Sequence, residues 1–569
     1  MKTRLSLSVL LVIFLSAPSL FTNNKQATLA GVGIIFFVLL IETIFIKSQK
    51  NSSTYEKKGL FEMSEKTSRI LIFFTYLISV LITQNVHLNF EVISWDIPSY
   101  LVASQEINNG FLPFETQWES KGPLFLYFYN FISNLVNNSY VYFRIANDFI
   151  LLFIAYVLFN ISYRKSKDYV LSFAAGIFFI LLTSIVWYVS EYSEIYSLLF
   201  ISIAHLINIS AENSKPRNLL VGLCLGLSTL INQGTVLFVI PFGISYIIKK
   251  KKIINKIINF SAGFLLPHLL FIFVYYFKGL IDIYISNYIQ LPLAYTSASL
   301  SSFYELKVWI RGYYEFDKFL FTALILLLLF FCFEVIREYI LNKNYKNLIT
   351  DPEFFGLFVS IALYFIAGHN YYHHLFYFLF FVSLLIFKFK YKDHVQIVYI
   401  FIAIAFVVII SKSIDPALSN LRSPEVTQNN YPLYQLSEEI NDHLQDYTDS
   451  DILALDYLLI LYYLERPNFS YVVHPSNHFD PIVLETLINL GKVPTNHISK
   501  MIEEEPRVII CNPRQIIYGE PQRVDTYNCA ISDYKLNYKK LDTTYYQNNF
   551  NLEFYKNPYQ FLNVFIKQD

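Results

Sequence analysis

Long apolar runs separated by short polar segments dominate the first 412 residues of this 569-residue chain. An α-helix needs about 20 apolar residues to cross the hydrocarbon core of a bilayer. The pattern therefore predicts an all-α, polytopic membrane domain with about thirteen transmembrane helices. The predicted helices lie at 5–21, 28–46, 69–87, 139–161, 169–188, 192–210, 218–232, 234–248, 257–277, 318–340, 354–368, 372–388 and 394–411.

The pattern changes after residue 412. Short apolar runs at 452–455, 471–473 and 508–511 alternate with polar segments, and a helical pattern occupies 482–490. Runs of this length are typical of strands in a small α/β domain. We therefore divide the chain into three parts. They are 1–68, with two additional helices and a linker; 69–412, the membrane domain; and 413–569, the small α/β domain.

Composition agrees with this division. Hydrophobic residues make up 54% of the chain and charged residues only 15%, whereas about a quarter of a soluble protein is charged. The 54 Phe and 45 Tyr suit lipid-facing surfaces and interfacial aromatic belts. The formal net charge is zero, which gives no basis for nucleic-acid binding. Membrane lipids are thus the predicted surroundings, and nucleic acid is not a predicted partner.

Basic residues mark every second loop and predict the orientation. They concentrate at 47–69, 164–167, 215–217, 249–256, 337–346 and 388–392. The positive-inside rule places these segments and the N-terminus in the cytoplasm of a multi-pass cell-membrane protein. Two long loops, 88–138 and 278–317, and the C-terminal domain are then extracytoplasmic. Within the first loop, the short apolar run at 124–136 predicts an interfacial helix. Cys511 and Cys529 could form a disulfide on that side.

The first outer loop contains two charged residues with potential chemistry, Asp96 and Lys121. Asp96 is either a solvated or helix-capping acid, or a general base held at the membrane surface. Lys121 is almost the only cation of this loop. It either extends toward lipid headgroups or binds a phosphate group as a compact ammonium.

Two acids lie at the outer end of the helix predicted at 192–210. Glu191 and Glu194 are three residues apart, so they share one helical face. A carboxylate at the end of an apolar helix is unfavourable unless it faces a polar cavity. Glu194 is our candidate for such a position, whereas we expect Glu191 to be an exposed interfacial charge.

Histidines cluster in the outer turn at 368–374. His369 and His373 have the i, i+4 spacing of a metal-binding pair, but the nearby sequence supplies no third ligand. Histidines among tyrosines are also typical of an interfacial belt, and we favour that interpretation. Arg311, in the second outer loop, is a candidate anion contact.

Taken together, these positions resemble the membrane glycosyltransferases of the GT-C class, which include the aminoarabinose transferases and the protein O-mannosyltransferases. The first outer loop carries the main similarity, and further landmarks occur at helix ends. The shared positions are Asp96-x3-Tyr100-x2-Ala103-x6-Gly110-x2-Pro113, Lys121-Gly122-Pro123-Leu124, Ser193-Glu194, Asn232-Gln233 and His373-His374. The helix layout over 69–412 is also similar.

The resemblance implies transfer of a sugar from a polyprenyl-phosphate donor to a lipid, glycan or protein acceptor outside the cytoplasm, with inversion. Asp96 matches the loop acid that serves as general base. Lys121 matches the lysine that contacts phosphate, and Tyr100, Glu194, His373 and Arg311 are further candidates for substrate binding. Many members carry a second acid after the first, where this chain has Ile97-Pro98. We therefore predict no metal-ligand set and no required cofactor, although a divalent cation could take part.

Three other functions fit part of the pattern. A transporter or flippase for lipid-linked sugars would explain the many helices, but it predicts charges or Gly/Pro breaks in mid-membrane. A polysaccharide ligase or polymerase would use a similar donor, and the Tyr-rich loop at 278–317 is compatible with it. A receptor would use the helices as an anchor, for which they are far too numerous.

Overall fold

The computed structural model describes residues 65–184, 189–210, 215–248, 253–298, 352–366, 372–386, 395–444, 451–512, 538–548 and 559–568. The predicted helices at 5–21, 28–46 and 318–340 lie outside these ranges. Arg311, His369 and Cys529 also lie outside them, so the predictions for these residues stay predictions.

Helices form most of the described chain. Up to residue 444 they are α1 (Glu65–Gln84), α2 (Asp96–Gln105), α3 (Pro123–Leu135), α4 (Tyr140–Ser166), α5 (Tyr169–Leu182), α6 (Ser193–Ser210), α7 (Lys215–Ile231), α8 (Val239–Ile248), α9 (Ile253–Phe277), α10 (Ile281–Ile285), α11 (Leu291–Ala298), α12 (Pro352–Ile366), α13 (Phe376–Ile386), α14 (Val395–Arg422), α15 (Pro424–Asn429) and α16 (Pro432–Leu444). Short 3₁₀ segments precede α8 (Gln233–Phe238) and α13 (Tyr372–Leu375).

Every predicted transmembrane run within the described ranges coincides with a helix. Three of these helices, α1 with its 3₁₀ extension, α4 and α9, are long and apolar enough to cross a membrane, and six more are shorter apolar helices. Ile70, Phe74 and Ile78 form an exposed stripe along α1. Such i, i+4 spacing of exposed apolar side chains is favourable against lipid. The described part up to residue 444 is therefore helical, with three candidate membrane spans, as the apolar pattern predicted.

Glycines allow the helices α7 and α9 to pack in close contact. A Cβ at Gly222 would lie 2.0 Å from the carbonyl oxygen of Phe260, and one at Gly263 would lie 2.0 Å from that of Leu219. Only glycine permits backbones to approach so closely, as is common between membrane helices. This contact sets the position of the outer end of α7, which supports the site described below.

The second outer loop is helical where it is described. Residues 281–298 form α10, a single π-helical turn (Ser286–Gln290) and α11. The hydroxyl of Tyr288 donates to the carbonyl of Thr229 at the end of α7 (2.7 Å). The hydroxyl of Tyr471 donates to the carbonyl of Phe114 (2.8 Å), and Asn287 Oδ1 of the π-helical turn lies 3.4 Å from the same hydroxyl. This loop therefore connects the membrane helices to the C-terminal region.

The C-terminal region contains a four-stranded mixed sheet. Its strands are β1 (Ile452–Ala454), β2 (Val508–Cys511), β3 (Tyr538–Lys540) and β4 (Asn563–Lys567), in the order β1-β2-β4-β3. The strands β1 and β2 are parallel, and β4 is antiparallel to both β2 and β3. The described helices of this region are α17 (Leu459–Tyr463), α18 (Pro481–Asn489), α19 (His497–Glu503) and α20 (Thr544–Asn548).

Alternation along the strands gives the sheet two apolar faces. Ile452 and Ile510 belong to the large core that continues into the membrane helices. Leu453 and Ile509 pack on the other side against Met501 of α19. Cys511 is disulfide-bonded, and its partner lies outside the described residues.

The C-terminal region docks directly onto the first outer loop. The amide of Trp118 donates to the carbonyl of Tyr471 (2.6 Å), and Trp118 and Val472 form a parallel β-bridge. Gln117 and Asn468 exchange two hydrogen bonds, of 2.8 and 3.2 Å. These backbone contacts place the segment after Val472 beside the start of α2.

Candidate active site

Asp96 is the first residue of α2, and its carboxylate is paired with a histidine of the C-terminal region. The Nε2 of His474 lies 2.7 Å from Oδ1 of Asp96, in a site where the side chains are 13% and 26% exposed. The cap residue of α2 is Trp95, without a side-chain cap bond. The helix-capping interpretation of Asp96 is therefore wrong, because its carboxylate binds His474 instead.

The surroundings of Asp96 favour its ionised form. Burial alone would raise the pKa of this carboxyl, but the hydrogen bond and charge of His474 outweigh it. His373 and Lys121 act in the same direction, so the pKa of Asp96 lies well below its usual range. Burial lowers the pKa of His474, but the contact with Asp96 and the charge of Glu119 raise it overall. Asp96 is consequently an anion at neutral pH.

Lys121 is held near this pair by the backbone of the next residue. The amide of Gly122 donates to the carbonyl of Ile231 at the end of α7 (3.0 Å). A Cβ at position 122 would lie 2.1 Å from the carbonyl oxygen of Leu230, so no side chain fits there. Pro123 then begins α3 at the first helical turn, where proline is favoured. The Lys-Gly-Pro sequence thus fixes the lysine at the junction of α3 and α7.

The carboxylate of Glu194 is the centre of a buried polar cluster. Glu194 is fully buried at the start of α6. Asn232 Nδ2 donates to its Oε1 (2.9 Å), and Ser193 Oγ donates to its Oε2 (3.2 Å). Lys121 Nζ and His374 Nε2 each lie 3.7 Å from Oε1. The prediction that Glu194 faces a polar cavity at a helix end agrees with this position.

Two histidines complete a set of groups that could bind a cation. The ligand atoms of Glu194, His373 and His374 lie within 4.8 Å of one another. One carboxylate and two imidazoles suit zinc or a similar ion. These three side chains are of the types that bind such an ion, but Lys121 lies beside the same carboxylate oxygen and would repel the ion. The spacing of His369 and His373 did not indicate this set, since Glu194 and His374 join His373.

Tyr100 lies beneath Lys121 within an aromatic layer. Its side chain is buried, and the Lys121 ammonium lies 6.0 Å from the centre of its ring. The rings of Phe125 and Tyr129 pack against it edge-on, with centroids 5.0 and 5.7 Å away. The 6.0 Å separation between the Lys121 ammonium and the Tyr100 ring is in the range of a cation–π contact, so Tyr100 supports the lysine. A direct contact between Tyr100 and substrate stays a prediction.

Glu191 does not lie where the sequence analysis placed it. It is buried rather than exposed, and its Oε1 accepts a hydrogen bond from Nε of Arg144 (3.1 Å). Arg144 Nη1 also donates to the carbonyl of Phe90 (2.6 Å). The prediction of an exposed interfacial charge was wrong because a cation 47 residues earlier in the chain compensates the acid.

Sequence reasoning missed His474 and the structural role of Asn232. His474 lies 378 residues from Asp96, and no local pattern marks it. Asn232 belonged to a landmark of the family resemblance, which was the only signal available for it. The remaining sites, Asp96, Lys121, Glu194 and His373, meet in one neighbourhood.

The sequence matches no protein-family model and no curated protein. Among solved structures, ArnT from Cupriavidus metallidurans bound to undecaprenyl phosphate aligns with 79% of this chain and 94% of its own, at 10% identity and a TM-score of 0.52. The chain shares the fold of this protein. The apo oligosaccharyltransferase of Archaeoglobus fulgidus also matches, with 79% of this chain and 70% of its own, at 12% identity and a TM-score of 0.42.

The likeness to ArnT concerns the architecture. It confirms the predicted arrangement of helices at the level of the fold, which was inferred from about thirty residues and the layout of the apolar runs. At 10% identity it does not carry over individual residues or chemistry.

Proposed function

We propose that this chain is a membrane glycosyltransferase that moves a sugar from a polyprenyl-phosphate donor to an acceptor hydroxyl, with inversion at the anomeric carbon. The observation that carries the proposal is that an ionised acid, Asp96, and a cation whose side chain is only 15% exposed, Lys121, lie in one neighbourhood, where the charge of Lys121 helps to lower the pKa of Asp96. The shared fold with a protein bound to undecaprenyl phosphate supports the choice of donor.

Lys121 has the properties required to bind the donor phosphate. Its separation of 3.7 Å from Glu194 is too long for a hydrogen bond, so the contact uses none of its three donors. Glu194 and Tyr100 hold the ammonium in place, and neither of them accepts a hydrogen bond from it. A phosphate ligand would therefore receive charge-assisted hydrogen bonds from a preorganised cation.

Asp96 supplies the base. Its Oδ1 is bound to His474, and its Oδ2 receives no hydrogen bond from a residue in the described ranges. In the proposed reaction the acceptor oxygen attacks the anomeric carbon on the face opposite the phosphate. The bond from carbon to phosphate oxygen breaks, polyprenyl phosphate leaves, and the acceptor proton passes to Asp96. The leaving group is already an anion, so it needs no proton.

We further propose that the site faces the extracytoplasmic side. The support is the alternation of basic loops, which assigns 88–138, 278–317 and 413–569 to that side. We keep the division into 1–68, 69–412 and 413–569, although α14 continues to Arg422, past the boundary at 412. Single cysteines in each loop, labelled with an impermeant maleimide in intact cells, test this. Labelling of the 249–256 loop would overturn the orientation.

The central test measures release of undecaprenyl phosphate from a panel of undecaprenyl-phosphate-linked sugars. Purified protein in nanodiscs is incubated with an envelope extract of its own organism as the acceptor source. Release that depends on both components is the expected result. A transporter would move the donor without cleaving it, so absence of cleavage across the panel would overturn the proposal.

Two variants with matched controls test the assigned roles. Asp96→Asn cannot take a proton, and turnover should fall roughly 10²- to 10⁴-fold. Lys121→Ala should weaken donor binding by about ten- to a hundredfold, the loss of a charge-assisted hydrogen bond of about 1.5–3 kcal/mol. The exposed Asp282→Asn and Lys278→Ala in the second outer loop should behave like the wild type. If Asp96→Asn keeps more than about half of the turnover, Asp96 is not the base.

A further inference from the structure

The C-terminal region brings one side chain into the proposed reaction site, and backbone pairing determines its position. The bridge between Trp118 and Val472 aligns the segment 471–473 with the first outer loop. His474 follows directly, and its ring reaches the carboxylate of Asp96. Pro475 then begins a 3₁₀ turn, Pro475–His478, for which His474 is the cap residue. The ring is therefore held from both sides.

The hydrogen bonds of the ring determine which nitrogen carries a proton. The amide of Ser476 donates to Nδ1 (3.3 Å), and the hydroxyl of Ser476 lies 2.9 Å from the same atom. An Nδ1 that accepts from an amide leaves the proton of the neutral ring on Nε2. In the protonated ring Nε2 also carries a proton, and Nδ1–H can donate to the hydroxyl. In both states Nε2–H donates to Asp96 Oδ1.

This arrangement rules out one role and supports another. A histidine that acted as the base would need an accepting nitrogen directed at the acceptor hydroxyl. Here Nδ1 is bound to Ser476 and Nε2 is a donor to Asp96, so neither nitrogen is available. Asp96, by contrast, retains a second oxygen, Oδ2, to which no described residue donates a hydrogen bond. The histidine consequently acts on the carboxylate and not on the substrate.

We propose that His474 is a positioning residue that holds Asp96 Oδ1, so that Oδ2 is directed at the acceptor hydroxyl and receives its proton. This inference rests on the proposed function and deepens it, because it makes the C-terminal region part of the reaction site. When the acceptor oxygen bonds to the anomeric carbon, its proton moves to Oδ2, and the bond from Nε2–H to Oδ1 persists. The proton then leaves to solvent from the partly exposed carboxyl.

The charges around the pair agree with this role. The groups that act on His474 are Asp96, Glu119, Lys121, Asp456 and His478, and His373 acts with Lys121 on Asp96. Burial raises the pKa of the Asp96 carboxyl, but the neighbouring charges lower it overall, and His474 contributes most to that lowering. Removing the Nε2 donor should therefore raise the pKa of Asp96 and make it protonate at higher pH.

Two substitutions separate positioning from a purely structural role. Glutamine at 474 places an amide N–H near the position of Nε2, whereas asparagine places an acceptor near that of Nδ1. His474→Gln should thus keep the donor to Asp96 and lose the cap of the 3₁₀ turn. His474→Asn should keep the cap and lose the donor. The matched control is His443→Ala, an exposed histidine of α16 in the same region.

The assay is release of undecaprenyl phosphate from the undecaprenyl-phosphate sugar that the wild type cleaves, measured across pH and normalised to folded protein. We expect His474→Asn to lower kcat on the order of 10- to 100-fold with little change in the donor KM. The acid limb of its pH–rate profile should move upward by about 1 to 3 pH units. His474→Gln and His443→Ala should stay within about threefold of the wild type in kcat.

Each outcome is decisive. If His474→Asn retains wild-type kcat and pH profile, or if His474→Gln is the more impaired variant, the histidine is only a structural cap and the inference is overturned. Asp96→Asn and the double variant Asp96→Asn/His474→Asn should be equally slow, since both residues act through one carboxylate. A further loss in the double variant would contradict this. A wild type that cleaves no donor overturns the proposed function, whereas an active wild type with an unaffected His474→Asn overturns only this inference.

Discussion

Glu91 joins the first outer loop to the C-terminal region, and its removal should open that interface. Its Oε2 accepts from the amide of Leu433 (2.8 Å) and the hydroxyl of Tyr559 (3.0 Å). Its Oε1 accepts from the amide of Tyr434 (3.1 Å) and the hydroxyl of Tyr463 (2.9 Å). The two amides belong to the first turn of α16, so Glu91 caps this helix from another part of the chain.

Glu91→Ala should weaken the docking of the C-terminal region by about 2–5 kcal/mol. The side chain is only 1% exposed, so its loss leaves buried donors without a partner. Each such donor costs about 1–3 kcal/mol, and the tyrosine hydroxyls can reorient, which limits the total. Since 1.4 kcal/mol is a factor of ten, the opened population should rise by at least roughly 30-fold. Glu91→Gln keeps the volume and an acceptor oxygen, and should lose far less.

Limited proteolysis of the full-length protein in nanodiscs measures this change. At low protease concentration the cleavage rate of region 413–569 follows the opened population. We expect cleavage of Glu91→Ala to be at least roughly 30 times faster than that of the wild type, with Glu91→Gln in between. Equal cleavage rates for Glu91→Ala and the wild type would refute the reasoning that these four hydrogen bonds secure the interface.

Three further predictions concern pH and packing. Burial raises the pKa of Glu91 from 4.5 to about 7. The contribution of Glu91 to docking is therefore complete below about pH 4.5 and is lost as the pH rises through 7. Proteolytic cleavage of the wild type should increase from about pH 6 to 8, and that of Glu91→Gln should not. Gly122→Ala should displace the neighbouring lysine and reduce donor affinity about tenfold or more. Gly243→Ala is the control and should not, because nothing lies within 4 Å of a Cβ at that position. Equal donor binding by Gly122→Ala and the wild type in a titration would contradict this prediction. Glu191→Gln keeps an acceptor oxygen but removes the negative charge that compensates the buried Arg144, and it should destabilise the protein by about 3 kcal/mol. A lower melting temperature in detergent is the expected result, and an unchanged one would count against it.

Local pattern determined the helices because lipid imposes a strong and simple requirement. A segment that crosses a bilayer must satisfy its backbone internally and be apolar along its length. The runs at 139–161 and 257–277 therefore coincide with α4 and α9. Their ends differ from the predicted bounds by up to five residues, since polar residues such as Arg164 and Lys165 continue α4 beyond the apolar segment.

The sequence also indicated the two residues of the first outer loop to which we assign chemistry. Lys121 stands out because it is the single Lys or Arg between residues 88 and 138, and Asp96 because it opens the motif on which the family resemblance rests. The glycine between Lys121 and Pro123 is explained by a contact with α7 that the sequence does not show. A charged residue in an apolar setting can thus be recognised from the local sequence, but its partner cannot.

Only the tertiary structure decided those partners. The pairs Asp96–His474 and Glu194–His374 join residues from distant parts of the chain. Glu191 is buried because Arg144 from another helix compensates it, which no helical periodicity can predict. Periodicity shows which face of one segment is apolar and which is polar. Which polar groups meet inside depends on how whole elements pack, and this is why Asp96 and Lys121 could be proposed from the sequence but the contact of His474 with Asp96 could not.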